Sequence, residues 1–153
     1  MYKYVKEIGL FGILPFILDR WTKYAIVHGL IQDQDLLPVL KIYSTYNSGV
    51  AWGMASELQG FAQTMLLCFV GAVLAYFIWT MTRINLSRSA LCATVLIVSG
   101  GISNFIDRFL YDGVVDWICV YYQSWTFPIF NGADIFITLG AAWLVWLMIR
   151  SEY

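Results

Sequence analysis

Two stretches of this chain, residues 60–80 and 89–106, contain no charged side chain. A membrane-spanning helix needs about 20 predominantly apolar residues, so each stretch is long enough to cross a bilayer. A third apolar stretch, residues 133–149, has Asp134 near its start as its only charge. The whole chain is 60% apolar and only 12% charged, unlike a soluble domain of this size. The sequence therefore predicts an integral membrane protein that is mainly α-helical.

A less uniform apolar stretch, residues 8–28, comes before these three and is predicted as the first of four membrane spans. Pro15 lies within it, and membrane helices tolerate proline. The span also contains Asp19, Arg20 and Lys23. Charges at membrane depth must face protein or water and pair with one another. Asp19 and Lys23 are spaced i, i+4 and share a helix face. They form either a structural ion pair or the support of a nearby functional site.

Two longer polar segments, residues 29–59 and 107–132, connect the spans and are predicted to lie on the same side of the membrane. Residues 36–46 are rich in Leu, Ile, Val and Tyr and partly alternate, which favours one or two short strands. Residues 47–49, Asn-Ser-Gly, follow as a turn signal. The expected architecture is one domain, residues 1–153, of four transmembrane helices with a small β-rich cap between helices 1 and 2.

The distribution of basic residues predicts the orientation, because cytoplasmic loops carry an excess of Lys and Arg. Outside the spans, one side of the membrane holds five such residues and the other side two. The five are Lys3, Lys6, Arg83, Arg88 and Arg150, and the two are Lys41 and Arg108. Both termini are therefore expected in the cytoplasm, and the β-rich cap is expected to be extracytoplasmic.

Polar and charged side chains gather at the outer face, with nothing comparable at the cytoplasmic side. They are Asp19, Lys23, Asn47, Asn104, Asp107, Arg108, Asp116, Asn131 and Asp134. The chain has one His and no HExxH motif, no GxSxG elbow and no phosphate-binding glycine loop. Its cysteines lack CxxC spacing, and no basic run suggests nucleic acid. Carboxylate chemistry without a metal or an organic cofactor is what remains.

Asp116 and Asp134 stand out because a carboxylate in apolar, aromatic surroundings is costly unless it has a partner or a task. Two aspartates held close together share one proton, since like charges at short distance cannot both ionise. The ionised member can activate water for attack on an amide carbonyl while the protonated member donates its proton. Two alternatives stay open from the residues alone. The aspartates are solvated helix ends or ion-pair partners, or they form the relay of a small proton-coupled transporter with Asp19 and Lys23.

Five motifs, in order along nearly the whole chain, resemble those of the lipoprotein signal peptidases, the bacterial membrane aspartyl proteases also called signal peptidase II. LDRWTK at residues 18–23 is similar to the family's D-x-x-x-K, and NSGVAWG at residues 47–53 to its N-x-G-x-A-[FW]-G. SNFIDR at residues 103–108 resembles its G-N-x-x-D-R, and VVDW at residues 114–117 its V-V-D-F. FPIFNGAD at residues 127–134 resembles its F-P-x-F-N-x-A-D.

The resemblance implies an endopeptidase whose two catalytic aspartates are Asp116 and Asp134. It implies cleavage of diacylglyceryl-modified prolipoproteins on the amino side of the lipidated cysteine, at the outer face of the bacterial inner membrane. The residues it implies as lining or supporting the site are Asp19, Lys23, Asn47, Gly49, Asn104, Asp107, Arg108, Asn131 and Ala133. No cofactor, metal or nucleic acid is implied, membrane phospholipid surrounds the protein, and a monomer is expected.

The chain departs from the family pattern around this set. Ser103 stands where Gly is usual, and Gly132 where a branched aliphatic residue is usual, while Trp52 and Trp117 stand where Phe is commoner. Ser103 is expected to alter how closely its helix packs, because small residues set the approach of membrane helices. Gly132 is expected to loosen the start of the last span. These departures leave the fine substrate preference open.

Overall fold

The computed structural model describes residues 4–49, 56–111 and 113–150 of the chain, and most of them are helical. In this described part, three helices are long and apolar enough to cross a membrane. They are α3 (Ser56–Arg83), α4 (Arg88–Leu110) and α5 (Gly132–Ile149). Each contains one of the predicted uncharged or nearly uncharged stretches. The prediction of apolar, membrane-length helices is therefore confirmed for these three segments.

The predicted first span is helical but irregular. α1 (Val5–Ile8) continues into a π-helical turn (Gly9–Ile13) and then into α2 (Leu14–Val27), which has only 14 residues. The Ser99 hydroxyl on α4 donates to the Gly12 carbonyl at 2.8 Å, which satisfies a backbone acceptor within the π-helical turn. Because α2 is short and charged, this stretch is not among the three helices of membrane length in the described residues.

Helix α4 is the central element, and every residue from 90 to 100 is buried. Two glycines bring α5 close to it. A Cβ atom on Gly100 would lie 2.5 Å from the Ala133 carbonyl oxygen, and one on Gly140 would lie 2.7 Å from that of Ala93. Small residues of this kind allow helix backbones to approach in membranes. The first turn of α5 is therefore held against α4, and Asp134 lies in that turn.

A four-stranded sheet of antiparallel pairs has the order β1-β2-β3-β4. Its strands are β1 (Gln34–Leu37), β2 (Leu40–Asn47), β3 (Val114–Tyr122) and β4 (Trp125–Thr126). The sequence predicted a β-rich element between the first two membrane spans, that is between α2 and α3, and this accounts only for β1 and β2. The other two strands come from the second polar segment, between α4 and α5. β3 is mostly buried near its start, so it lacks the apolar–polar alternation by which half-exposed strands are recognised.

The pairing of β2 with β3 sets the position of Asp116. Thr45 pairs with Asp116, and Asn47 pairs with Val114 two residues earlier on β3. Side chains alternate between the faces of a strand, and the neighbouring Val115 is fully buried in an apolar cluster. Asp116 therefore lies on the face opposite that cluster.

A short backbone contact joins β3 to the segment that precedes α5. The N–H groups of Trp117 and Ile118 donate to the Phe130 carbonyl at 3.0 and 2.8 Å, and the Phe130 N–H donates to Ile118 O at 3.1 Å. Phe130 is followed by Asn131 and the start of α5. The strand that carries Asp116 and the helix that carries Asp134 are thus brought side by side.

Candidate active site

Asp134 is fixed in the first turn of α5 by a reciprocal cap. Asn131, immediately before the helix, accepts a hydrogen bond from the Asp134 N–H through its Oδ1 at 3.0 Å. Asp134 Oδ2 in turn accepts from the Asn131 N–H at 3.1 Å. This capping box satisfies two backbone donors that the start of a helix would leave unpaired. The local spacing Asn-x-x-Asp therefore both starts the helix and orients the carboxylate.

Asp116 is buried, and its carboxylate accepts hydrogen bonds from two side-chain amides. Asn131 Nδ2 donates to Oδ1 at 2.6 Å, and Asn47 Nδ2 donates to Oδ2 at 2.9 Å. Asn47 is held by the turn that follows it, because its Oδ1 accepts from the Gly49 N–H at 2.9 Å. Gly49 has a φ of 71°, a conformation that favours glycine. Asn47 thus has both the predicted turn role and a contact with Asp116.

Asn104 connects the two aspartates with the charged residues of α2. Its Nδ2 donates to Asp134 Oδ1 at 2.8 Å. Its Oδ1 accepts from Lys23 Nζ at 2.6 Å and from Asn131 Nδ2 at 3.1 Å. Because a lysine ammonium can only donate, Lys23 fixes which end of the Asn104 amide faces it. The donor end is therefore directed at Asp134.

Lys23 is fully buried and lies at the centre of an ionic cluster. Its ammonium contacts Asp19 Oδ2 at 2.9 Å and Asp107 Oδ2 at 2.8 Å, in addition to Asn104. Its three donors are thus matched by three acceptors, which a buried charge requires. The predicted pairing of Asp19 with Lys23 is confirmed. Asp107 also accepts from the Val115 N–H at 3.1 Å and is paired with Arg20.

Arg108 lies beside the aspartates and interacts electrostatically with both. Its Nη1 donates to the Asn104 carbonyl at 3.0 Å, while its Nε is buried and has no hydrogen-bond partner among the described residues. The side chain borders a cavity of about 220 Å³ that Gln63 and Thr64 also line. Arg108 therefore contacts the backbone of Asn104 and keeps one buried donor without a partner among the described residues.

The surroundings of Asp116 change its acidity. Burial raises the pKa of Asp116 to about 6, and the Asp134 carboxylate contributes to this rise. The hydrogen bonds from Asn47 and Asn131 and the charge of Lys23 act in the opposite direction but do not cancel it. Two carboxyl groups whose environments differ in this way can divide acid and base roles between them.

An apolar groove of about 350 Å³ borders Asp134. It is lined by Phe127, Phe130, Asp134, Ile135, Thr138 and Leu139. Phe127 and Phe130 contact each other edge to face, with ring centroids 5.9 Å apart. Among the described residues that line the groove, Asp134 has the only ionisable side chain. An apolar chain that occupies this groove would therefore lie beside Asp134.

The residues predicted for the site belong to one connected set of contacts. Asp19 joins it through the Ala133 N–H, which donates to Asp19 Oδ1 at 2.7 Å. Sequence reasoning missed Arg20 as a member, although its place within the first-helix motif was an available signal. It also missed the hydrogen bond from Ser103 to Asp19. Trp52 lies outside the described part of the chain. Within that part, no group of three or more His, Cys, Asp or Glu side chains could hold a metal ion.

The expectation for Gly132 differs from what is found. Gly132 was expected to loosen the start of the last span. Instead, the start of α5 is held by the Asn131–Asp134 cap and by the contact of Ala133 with Asp19. A Cβ atom at Gly132 would lie 2.9 Å from Asp19 Oδ1, so the absence of a side chain gives that carboxylate its space.

Comparison with known proteins gives concordant results for sequence and structure. The chain is 37% identical over 141 residues to a lipoprotein signal peptidase of Mesorhizobium japonicum, covering 90% of this chain and 82% of the relative. It is 31% identical over 159 residues to that of Pseudoalteromonas translucida, covering 99% and 96%. A bacterial membrane enzyme solved by the in meso method at 1.9 Å superposes with a TM-score of 0.81 at 27% identity, covering 96% of this chain and 95% of that one.

A second bacterial membrane enzyme, solved by the same method at 2.3 Å, superposes with a TM-score of 0.79 at 28% identity. It covers 97% of this chain and 91% of the solved one. The family model described as signal peptidase (SPase) II matches residues 11–150, which include both aspartates and the whole hydrogen-bond network around them. The chain therefore belongs to the signal peptidase II family.

Proposed function

We propose that Asp116 and Asp134 are the catalytic pair of this membrane protease. As a member of the signal peptidase II family, the protein is a protease that removes signal peptides from prolipoproteins. The assignment of the pair rests on one observation: Asn131 is hydrogen-bonded to both aspartates at once. This arrangement holds two carboxyl groups from different elements beside one another, as acid–base hydrolysis requires.

The charges around the pair support a single shared proton. The acidic members of the network are Asp19, Asp107, Asp116 and Asp134, and the basic members are Arg20, Lys23 and Arg108. One proton on the pair makes the cluster neutral, and a buried cluster with uncompensated charge is costly. Asp116 is assigned this proton below about pH 6, because burial raises its pKa to about 6. Asp134 accepts N–H donors from Asn104 and Asn131 and lies at a helix start, which suits it to the role of the base.

These roles give a balanced hydrolysis. The Asp134 carboxylate removes a proton from water as the water oxygen attacks the scissile carbonyl carbon, and Asp116 transfers its proton to the carbonyl oxygen. The resulting tetrahedral intermediate is neutral. The C–N bond then breaks as Asp134 passes its proton to the leaving amine nitrogen. The intermediate returns a proton to Asp116, which restores the starting state and leaves a free carboxylic acid on the signal peptide.

The apolar groove beside Asp134 supports a lipid-bearing substrate. Its described lining is apolar at Phe127, Phe130, Ile135 and Leu139, and Asp134 is the one ionisable residue in that part of the lining. Burial of hydrocarbon contributes about 0.8 kcal/mol per CH₂ group, so one acyl chain can supply much of the binding free energy. We therefore propose that cleavage occurs on the amino side of a diacylglyceryl-modified cysteine. The lipid lies in the groove and places the scissile bond at Asp134.

The placement in the membrane follows from helix and charge distribution. We propose that α1, the π-helical turn and α2 form a fourth span, because Asp19 and Lys23 of α2 are buried and paired with each other rather than facing lipid. The excess of Lys and Arg supports cytoplasmic termini in the inner membrane, with the sheet and the catalytic pair at the extracytoplasmic face. We further propose one domain that acts as a monomer surrounded by phospholipid. A cytoplasm-dependent reporter fused after the last residue should be active, and activity only outside contradicts this topology.

The proton-coupled transporter considered from the sequence has less support. The uncharged stretches of α3 and α4 offer no acidic group through the depth of the membrane, as a relay requires. Family membership likewise supports hydrolysis.

The test of the proposed function is cleavage of a diacylglyceryl-modified prolipoprotein by the detergent-purified protein. Wild type should cleave it, while Asp116→Asn and Asp134→Asn should each lose at least about 10³-fold in rate, as expected for removal of one member of an acid–base pair. The matched control is Asp35→Asn, an exposed aspartate on β1, which should retain full activity. Cleavage that persists in either site variant overturns the pair. Equal cleavage of an unlipidated precursor overturns the proposed substrate.

A further inference from the structure

Ser103 on α4 is fully buried and has a specific partner. Its hydroxyl donates to Asp19 Oδ2 at 2.6 Å, where Lys23 Nζ also donates at 2.9 Å. The other carboxylate oxygen, Asp19 Oδ1, accepts from the Ala133 N–H at 2.7 Å. A single buried carboxylate thus joins α2, α4 and the first turn of α5. The residue it holds on α5 directly precedes Asp134.

Gly132 provides the space for this contact. A Cβ atom there would lie 2.9 Å from Asp19 Oδ1 and 3.8 Å from Asp19 Cγ. A branched side chain would displace the carboxylate from the Ala133 N–H or move the first turn of α5 away from α2. The Ser103 hydroxyl and the missing side chain of Gly132 therefore act on opposite oxygens of the same carboxylate.

We propose that Ser103 and Gly132 are a coupled pair of positioning residues that place Asp134 through Asp19. This inference rests on the proposed catalytic role of Asp134. Both residues stand at positions where the chain departs from the family pattern. Ser103 donates to the Asp19 carboxylate and Gly132 leaves space for it, which couples the two positions physically. With glycine at position 103, the Asp19 carboxylate can shift towards α4 and leave room for a side chain at position 132.

The pair acts on the rate and not on substrate binding. Neither residue lines the apolar groove that borders Asp134. Loss of the Ser103 hydroxyl removes a donor from a buried carboxylate, and the carboxylate then turns towards Lys23 and loosens its contact with Ala133. A misplacement of about 1 Å in a catalytic group can cost about 10²-fold in rate. The expected signature is a lower kcat with an unchanged KM.

The first test is a series at position 103 in the full-length protein with a diacylglyceryl-modified prolipoprotein. Ser103→Ala should lower kcat about 10-fold with KM unchanged, which corresponds to loss of one charge-assisted hydrogen bond. Ser103→Cys, of similar size but a weak donor, should lie close to Ser103→Ala. Ser103→Thr, which retains the hydroxyl, should recover activity towards wild type. A kcat for both Ser103→Ala and Ser103→Cys within twofold of wild type overturns the inference.

The matched control is Ser99→Ala. Ser99 is a buried serine on the same helix whose hydroxyl donates to the Gly12 carbonyl, away from the aspartates. Ser99→Ala should lose about as much thermal stability as Ser103→Ala, but its kcat should stay at the wild-type value. Hydrogen–deuterium exchange in a peptide that spans Ala133 should accelerate in Ser103→Ala and not in Ser99→Ala. Equal exchange in the two variants overturns the link from Ser103 to α5.

The second test is a double-mutant cycle. Gly132→Val alone should lower kcat by about 10²-fold through displacement of the Asp19 carboxylate. Ser103→Gly combined with Gly132→Val should be more active than the product of the single effects predicts, by at least about fivefold, since contacting sites are not additive. Strictly multiplicative losses overturn the coupling. Asp134→Asn separates the two hypotheses: if it cleaves, the proposed function fails, whereas if it is inactive while the cycle is multiplicative, only the coupling fails.

Discussion

Asn131 Nδ2 donates to Asp116 Oδ1 at 2.6 Å from the residue that caps helix α5. The same side chain accepts from the Asp134 N–H through Oδ1. A residue that starts a helix therefore also links the two aspartates, one on a strand and the other on that helix. The separation of these two roles is open to experiment.

Substitution of Asn131 should distinguish capping from catalysis. Asn131→Ala removes both the cap and the donor to Asp116, so it should cost about 1–2 kcal/mol in stability and reduce kcat by about 10–100-fold. Asn131→Ser keeps a capping oxygen but cannot reach Asp116 with a donor. It should melt close to wild type and still show most of the loss in kcat. Wild-type activity in Asn131→Ser would show that Asn131 serves only as a cap.

The pH dependence of kcat/KM should report the proton on Asp116. In the free enzyme the pKa of Asp116 is raised to about 6, so the protonated, active form is lost as pH rises through this value. The kcat/KM profile should therefore bend downward near pH 6. The descending limb of the kcat profile should lie at higher pH than that of the kcat/KM profile. The reason is that bound substrate excludes water and further favours the neutral carboxyl group of Asp116. An ascending limb at pH 6 would assign the base role to Asp116 instead.

Asn47→Ala provides a directional test of the same limb. The hydrogen bond from Asn47 stabilises ionised Asp116 and lowers its pKa, so removal of Asn47 should raise the pKa of Asp116 further. The descending limb should then move to higher pH. A shift to lower pH contradicts the proposed contact. Melting temperature should change little, because Asn47 is exposed.

The free energy of unfolding should fall as pH rises through the pKa of Asp116. The pKa of Asp116 is about 6 in the folded protein and 3.8 for an ordinary aspartate, so the folded protein binds more protons than the unfolded chain between these pH values. The stabilisation from this group is present below pH 4 and lost as pH rises to 6, by up to about 3 kcal/mol. The melting temperature of Asp116→Asn minus that of wild type should therefore be larger at pH 7.5 than at pH 4.5. If this difference in melting temperature does not change with pH, burial of the ionised Asp116 carboxylate does not destabilise the fold and the prediction is wrong.

Lys23 should be the most costly single charge to remove. Lys23→Met leaves the buried Asp19 carboxylate and one oxygen of Asp107 without their cation, at a cost of about 3–5 kcal/mol. Adding Asp19→Asn should recover part of this loss in thermal unfolding, because it removes an unpaired charge. Lys41→Met is the control, since Lys41 lies over the rings of Tyr43 and Tyr121 at 5.2 and 5.3 Å rather than in the buried cluster. Equal losses in the two lysine variants contradict the central place of Lys23.

The sequence predicted the parts of the fold that depend on local pattern. Stretches with no charge, or with Asp134 as their only charge, predicted α3, α4 and α5. The i, i+4 spacing of Asp19 and Lys23 placed them on one helix face, and the ion pair that was one of their two open roles is present. The strand β3 was missed because, apart from Asp116, it is apolar or aromatic on both faces, so its pattern did not separate it from other buried segments. Arg20 was missed because an ion pair with Asp107 joins residues far apart in sequence.

The chain itself determined its membrane class, its helices and, through five motifs in order, the identity of the residues around the two aspartates. Only the tertiary structure decided how those residues are connected. Asp116 and Asp134 meet because β3 pairs with β2 and with Phe130, and because glycines bring α5 against α4. The orientation of Asn104 and the placement of Asp19 between Ser103 and Gly132 depend on contacts between separate elements. Such contacts leave no periodic trace in a sequence, because they are fixed by packing in three dimensions and not by spacing along the chain.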